Sequence, residues 1–377
     1  MPLGRLADRV PRRSVAGWGL LAWSLCTGVG GLAVSFWVFF ALRVGVGIGE
    51  ASYSPATGSL ISDLYPAERR SRATALFTLG FPIGTLLAFL TAGPIADGLD
   101  NWRAPFLIAM FPGILLAFVV LRIREPRRGA QDGTAGIAVA THTEAASAAR
   151  PSAVRSVLRI RSVWGLIVAF AGYNFAAYAV GTFVTPVLQR YFGLSLTEAG
   201  AAGGLVLGAS GLVGLLVAGP VLDRARARSG VRRDLVAVIC LAAAAVFALV
   251  GLSAGRDGVV VFVAFMGLSY LFGIVFLAVY VPAAADVVPA ERRSTALGVI
   301  VAAGLFIGGA GGPISVGVLS DVLRSDAVGV SDTGALADGL HTAMLVLVPL
   351  AFLVAAAGML FALRAGRADA ARLTRAA

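Results

Sequence analysis

The chain contains no lysine at all, only two histidines (His142 and His341) and only two cysteines (Cys26 and Cys240). Without lysine, a Gly-rich phosphate loop closed by Lys-Ser/Thr cannot exist, which removes ATP-driven work by this chain alone. Two histidines with no neighbouring acid or thiol offer neither a metal site nor a triad, so no metal, no cofactor and no enzyme activity are expected. Each cysteine lies inside an apolar run, where a thiol acts as a small apolar side chain and no disulfide framework is offered. Charge is scarce too: 14% of the 377 residues are charged against 58% hydrophobic, with a mean hydropathy of +0.87. A soluble protein cannot hide so much apolar surface beneath a polar cover, so the solvent for this chain is a lipid bilayer.

What charge there is consists largely of arginine, which carries all 31 basic positions and sets the net charge of +11. The arginines stand between apolar runs and form no stripe interleaved with aromatics, so no nucleic-acid partner is expected. The opening stretch, Met1 to Arg13, is polar and reads as a loop rather than a secretory leader.

A spanning helix needs about 20 mostly apolar residues. Ten candidates follow, at about 15–34, 36–59, 73–96, 104–122, 163–189, 197–222, 234–254, 258–285, 295–320 and 340–363. The expected fold class is therefore all-α, a polytopic transmembrane helix bundle. With the N-terminus on the cytoplasmic side, only Arg103, Arg190, Arg256 and Arg324 fall outside the cell, and Arg43 alone lies within a span. Every other arginine is cytoplasmic, which by the positive-inside rule places both termini there in a multi-pass protein of the cell membrane. Residues 1–124 read as a bundle of four spans, 125–162 as a cytoplasmic linker with a short basic amphipathic helix near Val154 to Arg161, and 163–377 as a six-helix bundle with a cytoplasmic tail.

The two bundles repeat one another. Pro66-Ala-Glu-Arg-Arg-Ser-Arg-Ala73 recurs as Pro289-Ala-Glu-Arg-Arg-Ser-Thr-Ala296, Tyr53-Ser-Pro55 as Tyr280-Val-Pro282, and Gly4-Arg-Leu-Ala-Asp8-Arg9 as Gly219-Pro-Val-Leu-Asp223-Arg224, while Asp97 and Asp321 close matching spans. A period above 200 residues is too long for a solenoid and indicates a duplicated bundle about an axis along the membrane normal, an arrangement suited to alternating access. The halves are unequal, since two spans precede the Gly219 loop in the second half and none precedes Gly4. Two further spans are expected upstream of Met1.

Gly4-Arg-Leu-Ala-Asp-Arg-Val-Pro-Arg-Arg13 resembles the signature loop after the second helix of major facilitator transporters, with Pro11 standing where the family has its second glycine. Arg43-Val-Gly-Val-Gly-Ile-Gly-Glu50-Ala51 and the continuation through Tyr53, Pro55, Ile61-Ser-Asp63, Pro66 and Arg69-Arg70 are similar to the spinster-like branch. The resemblance implies twelve helices in two six-helix domains, with helices one, four, seven and ten lining a central cavity, so that this chain carries helices three to twelve. It also implies a secondary transporter for small organic solutes, with lysolipid or sphingoid-type molecules as the branch's cargo. An organic-anion symporter, a multidrug exporter and a non-transporting truncated fragment remain open alternatives.

Arg43 and Glu50 are the clear ionisable pair deep within a span, where a charge costs about 2.5–3.5 kcal/mol at the helix centre. Their spacing puts them on one helix face about two turns apart, roughly 10 Å, too far for a direct ion pair but within reach of one water-filled cavity. A carboxylate so placed is a proton-coupling candidate, and Arg43 can tune it or hold an anionic group of the solute. Tyr173, Asn174 and Tyr178 on one span and Tyr270, Phe272, Phe276 and Tyr280 on another are candidate substrate contacts. Gly4, Asp8, Arg9, Arg12 and Arg13 form a candidate gating loop, with Asp223 and Arg224 as its second copy, and Arg69, Arg70, Arg292 and Arg293 at cytoplasmic helix ends can bridge to these loops. Glycine clusters such as Gly80/Gly84, Gly200/Gly203/Gly204/Gly208 and Gly304/Gly308/Gly309/Gly311/Gly312 let helices approach closely, and with Pro82, Pro186 and Pro313 they mark sites where a helix can bend. The expected partners are a small-molecule solute, protons and the lipid bilayer, for a chain acting as a monomer.

Overall fold

A computed structural model describes residues 10–65, 67–125, 151–229, 233–289, 292–325 and 332–376, and among them there is no strand. Ten long helices fall on the ten expected spans. They are α1 (Arg12–Gly30), α2 (Phe36–Leu64), α3 (Ala67–Gly98), α4 (Ala104–Arg122), α6 (Arg161–Arg190), α7 (Leu196–Gly203 running on into Ser210–Ser229), α8 (Arg233–Leu252), α9 (Val259–Ile274 and Phe276–Val287), α10 (Arg293–Gly304 and Gly311–Ser325) and α11 (Asp332–Ala376). A short helix, α5 (Pro151–Val157), precedes α6. Eight helices, from α3 onward without α5, are long and apolar enough over their described residues to cross a membrane.

Local signals account for several helix ends. Ser35 caps α2, its hydroxyl accepting from the Val38 N–H at 3.4 Å. Ser195 and Glu198 form a reciprocal capping box at the start of α7. Inside α7 and α10 the backbone passes through π-helical turns, Gly204–Ala209 and Leu305–Ala310, each opening on the same Gly-Leu-x-x-Gly pattern. Such turns insert a residue into the helical ladder and bend the helix.

By contacts the chain divides into two units. Unit 1 comprises Met1–Gly80 and Thr91–Ala148, and unit 2 comprises Phe81–Leu90 and Ala149–Ala377. Unit 1 is assembled on glycines that bring helices into close contact. A Cβ on Gly113 of α4 would fall 2.1 Å from Ser24 Oγ of α1, and one on Gly49 of α2 would fall 3.0 Å from the Gly19 carbonyl. Unit 2 has a continuous apolar core in which Leu166, Leu241, Phe262, Met266, Phe276 and Met344 are fully buried. Glycines again set its closest approaches: Gly208 on α7 faces the backbone of Leu86, and Gly308 on α10 faces the Ala171 carbonyl of α6.

Candidate transport and gating sites

Arg43 lies in the first half of α2, and its guanidinium is held by ring faces rather than by an acid. It stands 4.9 Å from the centroid of Phe39 and 5.5 Å from that of Phe106 on α4. Its Nη2 points at Gly30, where a Cβ would come within 3.0 Å, so the bare glycine leaves the room the guanidinium occupies. Nε and Nη2 are buried and meet no hydrogen-bond acceptor. Two aromatic faces attract a cation without taking up its N–H groups, which leaves directed donors available to an anion. Glu50, two turns further along α2, is exposed.

The expected solute contacts fall at two kinds of position in unit 2. Phe276 is fully buried and Tyr173 nearly so, and with Phe170 and Tyr280 they form a ring cluster with centroid separations of 4.9 to 6.2 Å. Asn174 is buried and donates from Nδ2 to the Phe170 carbonyl of its own helix at 2.8 Å, so its amide is engaged in α6. Tyr270 and Tyr280 are half-buried, and Tyr178 is exposed. Tyr270 packs on Gly211 of α7.

The gating residues yield the densest electrostatics. Arg12, first residue of α1, reaches Asp63 near the end of α2 and Glu125 beyond α4. Its guanidinium is hydrogen-bonded to Asp63 Oδ2, while Glu125 Oε1 accepts from both the Arg12 backbone N–H (2.8 Å) and Nε (3.3 Å). The Arg12 and Asp63 side chains are 4% and 8% exposed, so the pair is buried, whereas Glu125 is 20% exposed. Burial pushes the Glu125 carboxyl up, but hydrogen bonds from the Arg12 backbone and side chain and from the Arg13 backbone outweigh it, so the group titrates below its ordinary 4.5. Arg13 donates to the Ile123 carbonyl at 3.1 Å, adding a second tie between α1 and the end of α4.

Unit 2 carries the counterpart. Arg233, at the start of α8, is hydrogen-bonded to Asp286 near the end of α9 and lies 3.6 Å from Asp234. Asp63 and Asp286 are separated by 223 residues, the same offset as the Pro-Ala-Glu-Arg-Arg repeat. Sequence reasoning assigned no role to Asp63, Glu125 or Asp286. The shared offset was the available signal for the first and last of these. Nearby, Asp369 of α11 accepts from the Ser162 N–H (3.0 Å) and Oγ (2.5 Å), capping the start of α6. Gly4, Asp8 and Arg9 lie outside the described residues, and so do the side chains of Asp223, Arg224 and Arg70. Arg69 and Arg292 are exposed, and Arg293 donates from Nε to the Val288 carbonyl at 3.3 Å.

At the other end of unit 2, His341 is buried against a tyrosine. Its ring stacks on Tyr191 at 3.8 Å, Arg256 stands 5.0 Å over the same tyrosine, and Arg256 pairs with Asp338 at 2.6 Å. No group of three or more metal-binding side chains occurs among the described residues.

Comparison with known proteins places these features in context. Residues 1–313 match the Major Facilitator Superfamily. The chain is 32% identical over 324 residues to an MFS-type efflux pump of Mycolicibacterium smegmatis, covering 86% of this chain and 72% of the pump. It is 29% identical over 343 residues to human protein spinster homolog 1, covering 85% of this chain but only 63% of that relative's length. Among solved structures, a bacterial homolog to the human lysosomal transporter spinster, inward-facing and unoccupied, aligns with a TM-score of 0.80 at 23% identity over 98% of this chain and 86% of the other.

Proposed function

Because the chain belongs to the major facilitator superfamily and is spinster-like, we propose that it is a secondary transporter moving a small organic solute, amphipathic or anionic, across the cell membrane by alternating access. Glu50 is the proton-coupling group in this reading, and Arg43 holds an anionic group of the solute. The observation that carries it is the state of Arg43: a cation inside a span, packed on Phe39 and Phe106, with buried Nε and Nη2 donors that meet no acceptor. Cation–π contact returns about 0.5–2 kcal/mol against an insertion cost of about 2.5–3.5 kcal/mol. A carboxylate, sulfonate or phosphate oxygen arriving at those donors offsets the remainder.

The ion pairs of Arg12 and Arg233 are the stiffening elements of this scheme. They tie helix ends within each unit, at the arginine-rich side that we take as cytoplasmic, so that each unit moves as a body while its own end stays locked. The efflux-pump relative supports outward transport, and with it a second reading, a multidrug exporter, in which Arg43 counts for less where the cargo is cationic.

Proteoliposomes loaded at one pH and diluted into another separate these readings. Uptake of a lysophospholipid or an aromatic carboxylate that follows the pH gradient and collapses in Glu50→Gln is the expected result, and proton dependence unchanged in that variant removes Glu50 from the mechanism. Gradient-driven extrusion of ethidium with no movement of the anionic solutes favours the drug exporter.

A further inference from the structure

Unit 2 bears an apolar groove of about 420 Å³ between α6, α10 and α11, within the roughly 300–1,000 Å³ range of ligand sites. Its floor is made where small residues let backbones touch. A Cβ on Gly308 would lie 2.1 Å from the Ala171 carbonyl, and one on Gly172 2.6 Å from the Ala351 carbonyl. Larger side chains rise on either side as walls, with Val168, Ile307, Leu350 and Val354 exposed by 40, 56, 50 and 42%. Ser315 is the one polar side chain in the lining, and the π-helical turn of α10 sets Ile307 and Gly308 into it.

The depth of the groove follows from α6. Trp164 is 50% exposed and donates from its indole N–H to the Leu158 carbonyl at 2.8 Å, the posture of an interfacial tryptophan. At 1.5 Å per residue, Ile167 lies about 4–5 Å and Phe175 about 16 Å deeper than Trp164, which is the depth of one leaflet of a hydrocarbon core about 30 Å thick. On the headgroup side of Trp164, Arg155, Arg159 and Arg161 are exposed, and Arg161, two turns before Val168, shares the groove's face of α6. Arg364 of α11 is exposed as well, about 15 Å along the helix from Val354.

Exposed cations at headgroup level beside a hydrocarbon slot one leaflet deep are complementary to one kind of molecule. We propose that this groove binds an anionic phospholipid of the arginine-side leaflet, with its phosphate among Arg155, Arg159 and Arg161 and one acyl chain along Val168, Leu350 and Val354. The site is separate from Arg43 and Glu50 and does not depend on what the protein transports. The lipid lies against α6 and α10, so its occupancy bears directly on how far the π-helical turn of α10 can bend.

The test uses the full chain purified in dodecyl maltoside and native mass spectrometry, with phosphatidylglycerol and phosphatidylcholine of identical chains added at equal concentration. Phosphatidylglycerol should be retained at least about tenfold better, since tenfold needs only about 1.4 kcal/mol and three surface arginines at roughly a kcal/mol apiece exceed it. The triple variant Arg155→Gln, Arg159→Gln, Arg161→Gln should lose that preference. Leu350→Trp, which fills the slot from its exposed rim, should lose retention of both lipids. Val354→Trp serves from the same helix if Leu350→Trp is not monodisperse. Equal retention of the two lipids by the unaltered chain, a preference that survives loss of the three arginines, or undiminished binding with the groove filled each overturns the proposal.

Discussion

Removing Arg12 takes one cation away from two carboxylates at once. The Arg12 and Asp63 side chains are 4% and 8% exposed, so the figures for buried pairs apply, and deleting one partner of such a pair costs about 3–5 kcal/mol. Glu125, at 20% exposed, is better screened and adds less. Asp63→Ala leaves Arg12 its contacts to Glu125, which puts that variant near the lower figure of about 3 kcal/mol, while Arg12→Ala lies nearer the upper one of about 5 kcal/mol. The double variant should be less destabilised than the sum, with a coupling of about 1–3 kcal/mol. Unfolding by SDS or urea in mixed micelles, monitored by tryptophan fluorescence, supplies the four free energies of the cycle. Additive losses, with a coupling near zero, would refute the claim that Arg12 and Asp63 form one energetic unit.

Three further outcomes follow. Since Glu125 titrates below 4.5 in the folded protein, its contribution to stability is complete above that value and is lost as pH falls through the lower folded value; Glu125→Gln should therefore flatten the acid limb of a stability profile and leave its neutral limb parallel to the wild type. Gly308→Ala forces a Cβ to 2.1 Å from the Ala171 carbonyl and should destabilise by about 1–3 kcal/mol or more, whereas Gly317→Ala, which meets nothing within 4 Å, should be neutral or slightly stabilising in the same denaturation assay. Arg43→Lys keeps the charge but loses the flat donor array between Phe39 and Phe106, and titration calorimetry should show an anionic solute binding about tenfold more weakly, roughly 1.4 kcal/mol.

The spans were legible because apolar length is a one-dimensional property, and the helices follow the expected segments closely, although α11 already begins at Asp332 rather than near residue 340. Helix irregularity was less so. Of the prolines marked as bends, Pro313 follows the π-helical turn of α10 by three residues, while Pro82 and Pro186 lie in unbroken helices. α9 divides at Val275 with no mark in the sequence, whereas the π-helical turns of α7 and α10 fall at the glycine clusters at 200–208 and 304–312. For the site, the sequence offered Arg43 and Glu50 because charge within an apolar run stands out. It could not offer Phe106, 63 residues from Arg43, as the second face that holds the guanidinium. Nor did it offer Asp63 and Glu125 as partners of Arg12, since they lie 51 and 113 residues away and each looks, by itself, like a solvated helix end. The repeat carried part of the answer, because Asp286 stands to Arg233 as Asp63 does to Arg12.

Alternating access is tested most directly by a distance between the two units. With Cys26 and Cys240 replaced by serine and alanine, spin labels at the exposed positions of Arg69 and Arg292 report that distance by pulsed electron paramagnetic resonance. Proton-coupled rocking predicts two distance populations whose ratio changes between pH 5 and pH 8 and ceases to change in Glu50→Gln. A single distance, the same at both pH values and with or without solute, would contradict it.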